Sequence, residues 1–208
     1  MKVLSTNRSD KRIITINNAE VETGMFKVPV PEGITITENG VLSDTVCDLR
    51  YHGGRDKACY IFGRNNYPYF QKLYPDAKWE TGFFGENIEL DVLNESQLFI
   101  GDKYQIGEAV IQIAQPRTPC SKLGYRFGNM ASLKDFINSP HPGAYVRVLK
   151  DGLVREGDEM TLIEKASQRL SLTDLYQIKH NKSKHAERIQ EVLDHPDVTD
   201  NVKSGLSK

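Results

Sequence analysis

Leu98-Phe99-Ile100-Gly101-Asp102-Lys103-Tyr104-Gln105-Ile106-Gly107-Glu108-Ala109-Val110-Ile111-Gln112-Ile113-Ala114-Gln115-Pro116-Arg117-Thr118-Pro119-Cys120 is the stretch on which the fold is decided. Three apolar runs, residues 98–100, 104–106 and 110–113, are cut by Gly101-Asp102 and by Gly107. Short β-branched and aromatic runs bounded by turn residues read as strands joined by tight connections. The pattern continues outward on both sides. Towards the N-terminus, Ile13-Ile14-Thr15-Ile16 runs into Asn17-Asn18, and residues 33–37 alternate up to Glu38-Asn39-Gly40, a hairpin signal. Towards the C-terminus come Ala144-Tyr145-Val146-Arg147-Val148-Leu149, the Asp151-Gly152 turn and Glu159-Met160-Thr161-Leu162-Ile163. This spacing predicts a mainly β fold, a barrel or a sandwich, rather than alternating βα units.

A few short helices are expected within it. Residues 65–73 have helical spacing despite Pro68, and Ser132-Leu133-Lys134-Asp135-Phe136-Ile137 reads as a helix with Ser132 as its cap. Beyond about residue 167 the pattern turns helical. Ser171 precedes Leu172, Leu175 and Tyr176, an N-cap in front of an i, i+3, i+4 stripe. Residues 179–184 are polar and loop-like, with a small basic patch that is either solvated or a recruiting surface. Ala186, Ile189, Val192 and Leu193 form a second amphipathic stripe, stopped at His195-Pro196, and Thr199 or Asp197 opens a third helix. Such short helices bury too little to stand alone, so they should dock on the β part. The expected division is residues 1–165 as a β domain and 166–208 as a small helical appendage.

Composition excludes several classes. The chain has 208 residues, with 27 Lys and Arg against 28 Asp and Glu, a net charge of −1. A chain of this length builds a core without disulfides, and its balanced charge offers nothing to nucleic acid, so no nucleic-acid partner is expected. No stretch approaches the roughly 18 apolar residues of a membrane span, and Met1-Lys2-Val3-Leu4-Ser5 lacks the apolar region of a secretory leader. Cys47, Cys59 and Cys120 form no CxxC pair. Neither a zinc knuckle nor a dithiol redox centre is therefore expected, and reduced thiols fit a cytoplasmic protein. His52, His141, His180, His185 and His195 show no HxH or HExxH spacing.

Three loops carry chemistry-bearing residues. In the first, Pro116 and Pro119 stiffen the chain after a strand and present Cys120 near Arg117 and Lys122, cations that favour a thiolate. The alternative is an inert, buried cysteine on a proline-shaped turn. Cys59, in an apolar run, and Cys47, in a strand-like one, read as small core residues. A Cys–His pair of Cys120 with His52 or His141 needs a tertiary contact. The second loop is Tyr51-His52-Gly53-Gly54-Arg55-Asp56-Lys57. Its glycines and cations suit an oxyanion, or make a solvated surface turn. The third is Gly82-Phe83-Phe84-Gly85-Glu86-Asn87-Ile88. There Asn87 offers an amide to a heterocycle and Glu86 a carboxylate to a cation, unless the segment is a packed aromatic turn.

Taken in order, His52-Gly53-Gly54-Arg55-Asp56-Lys57-Ala58, Phe84-Gly85-Glu86-Asn87, Pro116-Arg117-Thr118-Pro119-Cys120 and Tyr145-Val146-Arg147-Val148-Leu149 with Gly157-Asp158 resemble the MOSC domain, named for the C-terminal part of molybdenum cofactor sulfurases. The helical tail resembles that of the YiiM-type subfamily. The resemblance spans essentially the whole chain and implies a MOSC-type β-barrel that binds the molybdenum cofactor (molybdopterin). Pyridoxal phosphate is not expected. It implies Cys120 as the molybdenum ligand, with His52, Asp56 and Glu86 as proton relays. It also implies Lys27, His52, Gly53, Gly54, Arg55, Lys57, Asn87, Arg117 and Arg147 around the cofactor. The implied reaction is the reduction of N-hydroxylated bases such as hydroxylaminopurines, a detoxification, with electrons from a donor protein or reductase. The partners so implied are a small-molecule N–OH substrate and that donor, with no membrane and with a homodimer among the expected assemblies. The alternatives are a sulfur carrier using a Cys120 persulfide and a non-catalytic cofactor-binding module. One departure stands out: where the family usually has Gly-Asp, this chain has Ser43-Asp44.

Overall fold

The computed structural model describes residues 1–48 and 52–207, so Tyr51 of the basic loop lies outside the described residues. Its strands are β1 (Val3–Arg8), β2 (Arg12–Ile16), β3 (Ala19–Thr23), β4 (Val28–Pro29), β5 (Ile34–Thr37), β6 (Gly40–Val41), β7 (Cys59–Gly63), β8 (Ile88–Leu90), β9 (Lys103–Ile106), β10 (Ala109–Pro116), β11 (Ala144–Lys150), β12 (Gly152–Val154) and β13 (Met160–Glu164). Its helices are α1 (Tyr67–Leu73), α2 (Ser121–Phe127), α3 (Ser132–Asn138), α4 (Leu172–His180), α5 (Ile189–Asp194) and α6 (Asp200–Leu206).

The main sheet runs β13-β9-β10-β11-β7-β8-β1-β4. It is antiparallel except where β7 and β8 run parallel. Two smaller sheets, β12-β5-β6 and the β2-β3 hairpin, complete the β part. Asn17 and Asn18 turn the hairpin with φ of 51° and 63°, the left-handed pair that a tight two-residue connection requires. Among the described residues the ladders run from β13 to β4 without joining into the closed barrel that the family resemblance implies. One isolated bridge, Lys2 with Glu159, links the start of β1 to the start of β13, supported by Val3 N–H donating to Asp158 O at 2.8 Å.

Two cores sit on this frame. The aliphatic one collects Ile61, Ile88, Ile111, Ile113, Val146 and Val148 from the sheet. The other is aromatic, with Phe62, Tyr67, Phe70, Phe83, Phe84, Phe127 and Phe136 held between β7 and helices α1 to α3. Phe62 stacks on Phe84 with centroids 4.2 Å apart. Along β11 the buried side chains Ala144, Val146 and Val148 alternate with Tyr145 and Arg147, so those two share the opposite face.

The tail follows its capping signals. Ser171 accepts a hydrogen bond from Asp174 N–H and caps α4, and Thr199 does the same for Val202 N–H in α6. Three expectations need correction. Lys179 is not in a loop, because α4 continues through His180. Residues 98–100 form no strand; Phe99 makes one bridge to Ser171, and Leu172 N–H donates to Leu98 O at 2.8 Å. Ser132 opens α3 as its first residue, with Ala131 in the cap position. Among the described residues no helix is long and apolar enough to cross a membrane.

Candidate functional site

The site forms where the end of β10 meets β7 and β11. Tyr145 pairs with Tyr60 of β7 on one side and Gln115 of β10 on the other. Pro116 closes β10 because its ring nitrogen cannot continue the ladder. The chain leaves through Arg117-Thr118-Pro119 and sets Cys120 at the N-cap of α2 in an extended conformation. Opposite lies the loop between Gly82 and Asn87. Gly82 takes φ of 77°, and a Cβ there would sit 2.6 Å from Lys27 O, so glycine is what lets the Met25–Lys27 backbone close over this loop. The result is a cleft of about 660 Å³, whose walls include Met25, Lys27, Asp44, Cys47, His52, Lys57, Tyr60, Asn87, Arg117, Cys120, Lys122 and Tyr145.

Cys120 lines this cleft with a thiol shifted toward the ionised form. Burial pushes its thiol up, but a hydrogen bond with His52, the charges of Arg117 and His52, and the Lys122 backbone N–H outweigh burial and bring it down to about 6. At neutral pH the sulfur is therefore mostly thiolate, the nucleophilic and metal-binding form. Arg117 is 3% exposed. Its guanidinium donates to Phe84 O and lies 4.9 Å from the Tyr60 ring centroid. Burial works against its charge, while Tyr60, Tyr145 and Cys120 hold it up. Its Nε is buried without a hydrogen-bond partner, and among the described residues no carboxylate pairs with it. A buried cation beside one thiolate, with an N–H left over, is suited to a further anion.

Lys27 and Asp44 form a buried ion pair. Asn87 donates to Asp44 Oδ2 at 2.8 Å and accepts from Tyr60 N–H at 3.2 Å. Its amide thus positions Asp44, and through it Lys27. Ser43, just before this anchor, carries φ of 59°, the left-handed conformation for which a glycine would serve best. Asp44 also accepts from Ser9 N–H at 2.8 Å, which ties the turn to the end of β1.

The structure brings Lys27, His52, Lys57, Asn87, Arg117 and Cys120 together on the cleft wall. It does not bring the rest of the candidates there. Asp56 accepts from Arg147 Nε, and Arg147 also donates to Gln112 at 3.0 Å. This pair clamps the 3-10 turn Arg55–Lys57 against β11 and so aims Lys57 rather than touching a ligand. Gly54, with φ of 88°, precedes that turn, and Gly53, Gly54 and Arg55 stay off the wall. Glu86 turns away between Gly85 and Asn87. It is fully buried, bonded by the Tyr67 hydroxyl and by Gly82 N–H at 3.1 Å, and burial raises its carboxyl to about 7. That places it in the aromatic core, out of reach of a proton relay at Cys120.

Some site residues escaped sequence reasoning. Cys47 is neither strand nor core: it sits in a bend, half-buried, on the cleft wall, and burial raises its thiol. Cys59 is the core residue expected, 1% exposed. Tyr145 had a usable signal, since the period of two along β11 puts it on the face of Arg147. Among the described residues no three His, Cys, Asp or Glu side chains group to hold a metal by themselves.

Residues 48–161 match the model of the MOSC domain. YiiM from Escherichia coli is 32% identical over 147 residues, 70% of this chain and 66% of that protein. A protein named reductase from Gibberella moniliformis is 28% identical over 162 residues, 76% of this chain but 29% of that protein. The crystal structure of YiiM from Geobacillus stearothermophilus superposes with a TM-score of 0.82 at 26% identity, covering 99% of this chain and 97% of that one. Sequence and fold agree across the β part and the helical tail, and the chain belongs to the MOSC domain family.

Proposed function

We propose that the protein is a molybdenum-cofactor-dependent oxidoreductase that reduces N-hydroxylated bases or related N–OH compounds, with Cys120 as the thiolate ligand to the metal. The observation that carries this reading is the Cys120 sulfur, brought down to about 6 on the wall of a cleft. A soft thiolate suits a metal already held by sulfur. The orphaned Nε of buried Arg117 suits an anionic group beside it. The name of the Gibberella relative is consistent with redox chemistry.

The reaction takes R–NHOH, two electrons and two protons to R–NH2 and water. When bound, the cofactor supplies the two-electron redox centre, recharged by an external donor protein. The chain supplies the rest. Cys120 binds, and Arg117 holds it ionised. His52, hydrogen-bonded to that sulfur, is the ring in the cleft that would pass a proton to the substrate. Tyr60 and Tyr145 wall the cleft with flat faces suited to a planar base.

The test is purification from cells that make the cofactor, followed by molybdenum analysis and an assay of hydroxylaminopurine reduction with a reduced donor. Stoichiometric molybdenum with turnover, both lost in Cys120→Ser, is the expected result. Metal-loaded protein that leaves the N–OH compound untouched overturns the activity. A persulfide on Cys120 in metal-free protein assigns sulfur transfer instead.

A further inference from the structure

Glu95 lies off the cleft wall, in the loop after β8, and is 2% exposed. Its Oε1 accepts from Asn66 Nδ2 at 3.0 Å and from Gly143 N–H at 3.3 Å. Its Oε2 faces His141 Nδ1 at 3.6 Å, too long for a hydrogen bond, and that nitrogen is buried without a partner. Among the described residues no lysine or arginine pairs with Glu95. The amide oxygen of a glutamine would meet the two donors on Oε1 equally well. A buried charge is costly, so a glutamate here calls for a use that a neutral acceptor would not serve.

Its position supplies one. Gly143 N–H belongs to the peptide unit whose carbonyl is Pro142 O, and that oxygen accepts from the Tyr60 hydroxyl at 2.8 Å. One amide plane is therefore held between a carboxylate and a phenol. The carboxylate polarises the amide and makes the carbonyl a stronger acceptor, because hydrogen bonds in a chain reinforce one another where the dielectric is low. With its proton committed to Pro142, the Tyr60 oxygen has only lone pairs left to offer. The cation beside it is Arg117, whose guanidinium carbon lies 4.9 Å from the Tyr60 ring centroid. Burial works against the charge of Arg117, and Tyr60 leads the groups that support it. The backbone is shaped for this contact. Gly143 takes φ of 62°, and a Cβ there would lie 2.6 Å from the Tyr60 hydroxyl oxygen, so glycine is what lets the phenol reach this peptide.

We propose that Glu95 is a positioning residue for the cleft: through the Pro142–Gly143 peptide it fixes the Tyr60 hydroxyl, and through Tyr60 it holds Arg117 beside Cys120. The relay rests on the geometry around Cys120 and stands whether or not the protein reduces N–OH compounds.

The test is a double-mutant cycle on the cofactor-free full-length chain, read by nuclear magnetic resonance and by thiol labelling, with no turnover measured. Glu95→Gln keeps the shape and an acceptor for Asn66 and Gly143 and removes the charge. It should move the Gly143 amide proton upfield and speed hydrogen exchange at the Arg117 side chain at least about threefold. Tyr60→Phe should give the same change at Arg117, and adding Glu95→Gln to it should give no further one. Labelling of Cys120 by iodoacetamide near pH 6 should slow about twofold in all three variants. Glu164→Gln, at an exposed carboxylate of β13, should change none of these. Removing a negative charge that acted only through space would favour the thiolate and speed labelling, so the sign separates the relay from a plain field. Faster labelling of Cys120 in Glu95→Gln, unchanged exchange at Arg117, or effects that multiply in the double variant overturn the proposal. So does labelling of Cys59, which is 1% exposed, in Glu95→Gln, because loosened packing would then be the cause. Gly143→Ala leaves Glu95 in place and pushes the phenol away, and it should reproduce the change at Arg117. An unmoved Arg117 there overturns the relay as well.

Discussion

Cys120 and Glu86 titrate far from their ordinary values, and they do so in opposite directions. Cys120 is lowered from about 9 to about 6, so its alkylation by iodoacetamide should rise through a midpoint near pH 6. His52→Ala removes the hydrogen bond and should move that midpoint upward by a unit or more, on the order of 1 kcal/mol or above. Peptide mass spectrometry resolves the sites. Cys59, buried and raised, should stay unlabelled until the protein unfolds; labelling of Cys59 at the rate of Cys120 would sink the assignment. Glu86 is raised from 4.5 to about 7, chiefly by burial. Between those values the unfolded chain releases its proton while the folded chain keeps it, so stability falls as pH rises through this window, by about 3 kcal/mol if nothing else relaxes. Glu86→Gln keeps an acceptor for Tyr67 and removes the titration. Denaturant midpoints should match wild type near pH 4.5 and exceed it above pH 7. A variant less stable than wild type at both ends would show that the ionised carboxylate is stabilising after all.

At the scale of elements, the informative position is the turn after β6. Ser43 holds φ of 59°, and an L-residue there costs about 1 kcal/mol relative to glycine. Ser43→Gly should raise Tm by about 2–4 °C for a chain of this size, with no change in thiol reactivity at Cys120. A fall in Tm would mean that the serine side chain contributes more than the backbone loses. The strands and the capped helices of the tail were legible because their signals are local: β-branched runs, Asn-Asn and Asn-Gly turns, Ser171 and Thr199. Helix α2 was not. It contains Gly124, which reads as a breaker, yet a Cβ at Gly124 would lie 2.6 Å from Met130 Sδ. The glycine serves close packing that appears only once the chain is folded. Residues 98–100 misread for a related reason: their apolar side chains lie under the tail, and their backbone groups bond to it. The Cys120 loop was legible from its prolines and cations. Glu95 was not, since nothing local tells that its carboxylate ends beside Gly143.

For the whole molecule, the question is whether residues 1–165 can stand without the tail. Leu170, Leu172, Leu175, Ile178, Val192, Val198, Val202 and Leu206 belong to the same apolar core as the central strands. Ile100 N–H donates to Leu170 O at 2.9 Å, and Arg169 pairs with Asp102, whose side chain is 1% exposed. Each buried aliphatic side chain contributes about 1.5–3 kcal/mol, so this set matches or exceeds the roughly 5–15 kcal/mol net stability of a typical domain. A chain ending at residue 165 should therefore fail to unfold cooperatively, and should bind a hydrophobic dye through the uncovered Leu98 and Ile100. The full chain should melt in one step, with the same midpoint from far-ultraviolet dichroism and from Trp79 fluorescence, because Trp79 lies in the aromatic core. A cooperative transition in the shortened chain would separate the two parts. It would also make the tail an appendage that covers Leu98 and Ile100 without supporting the sheet beneath it.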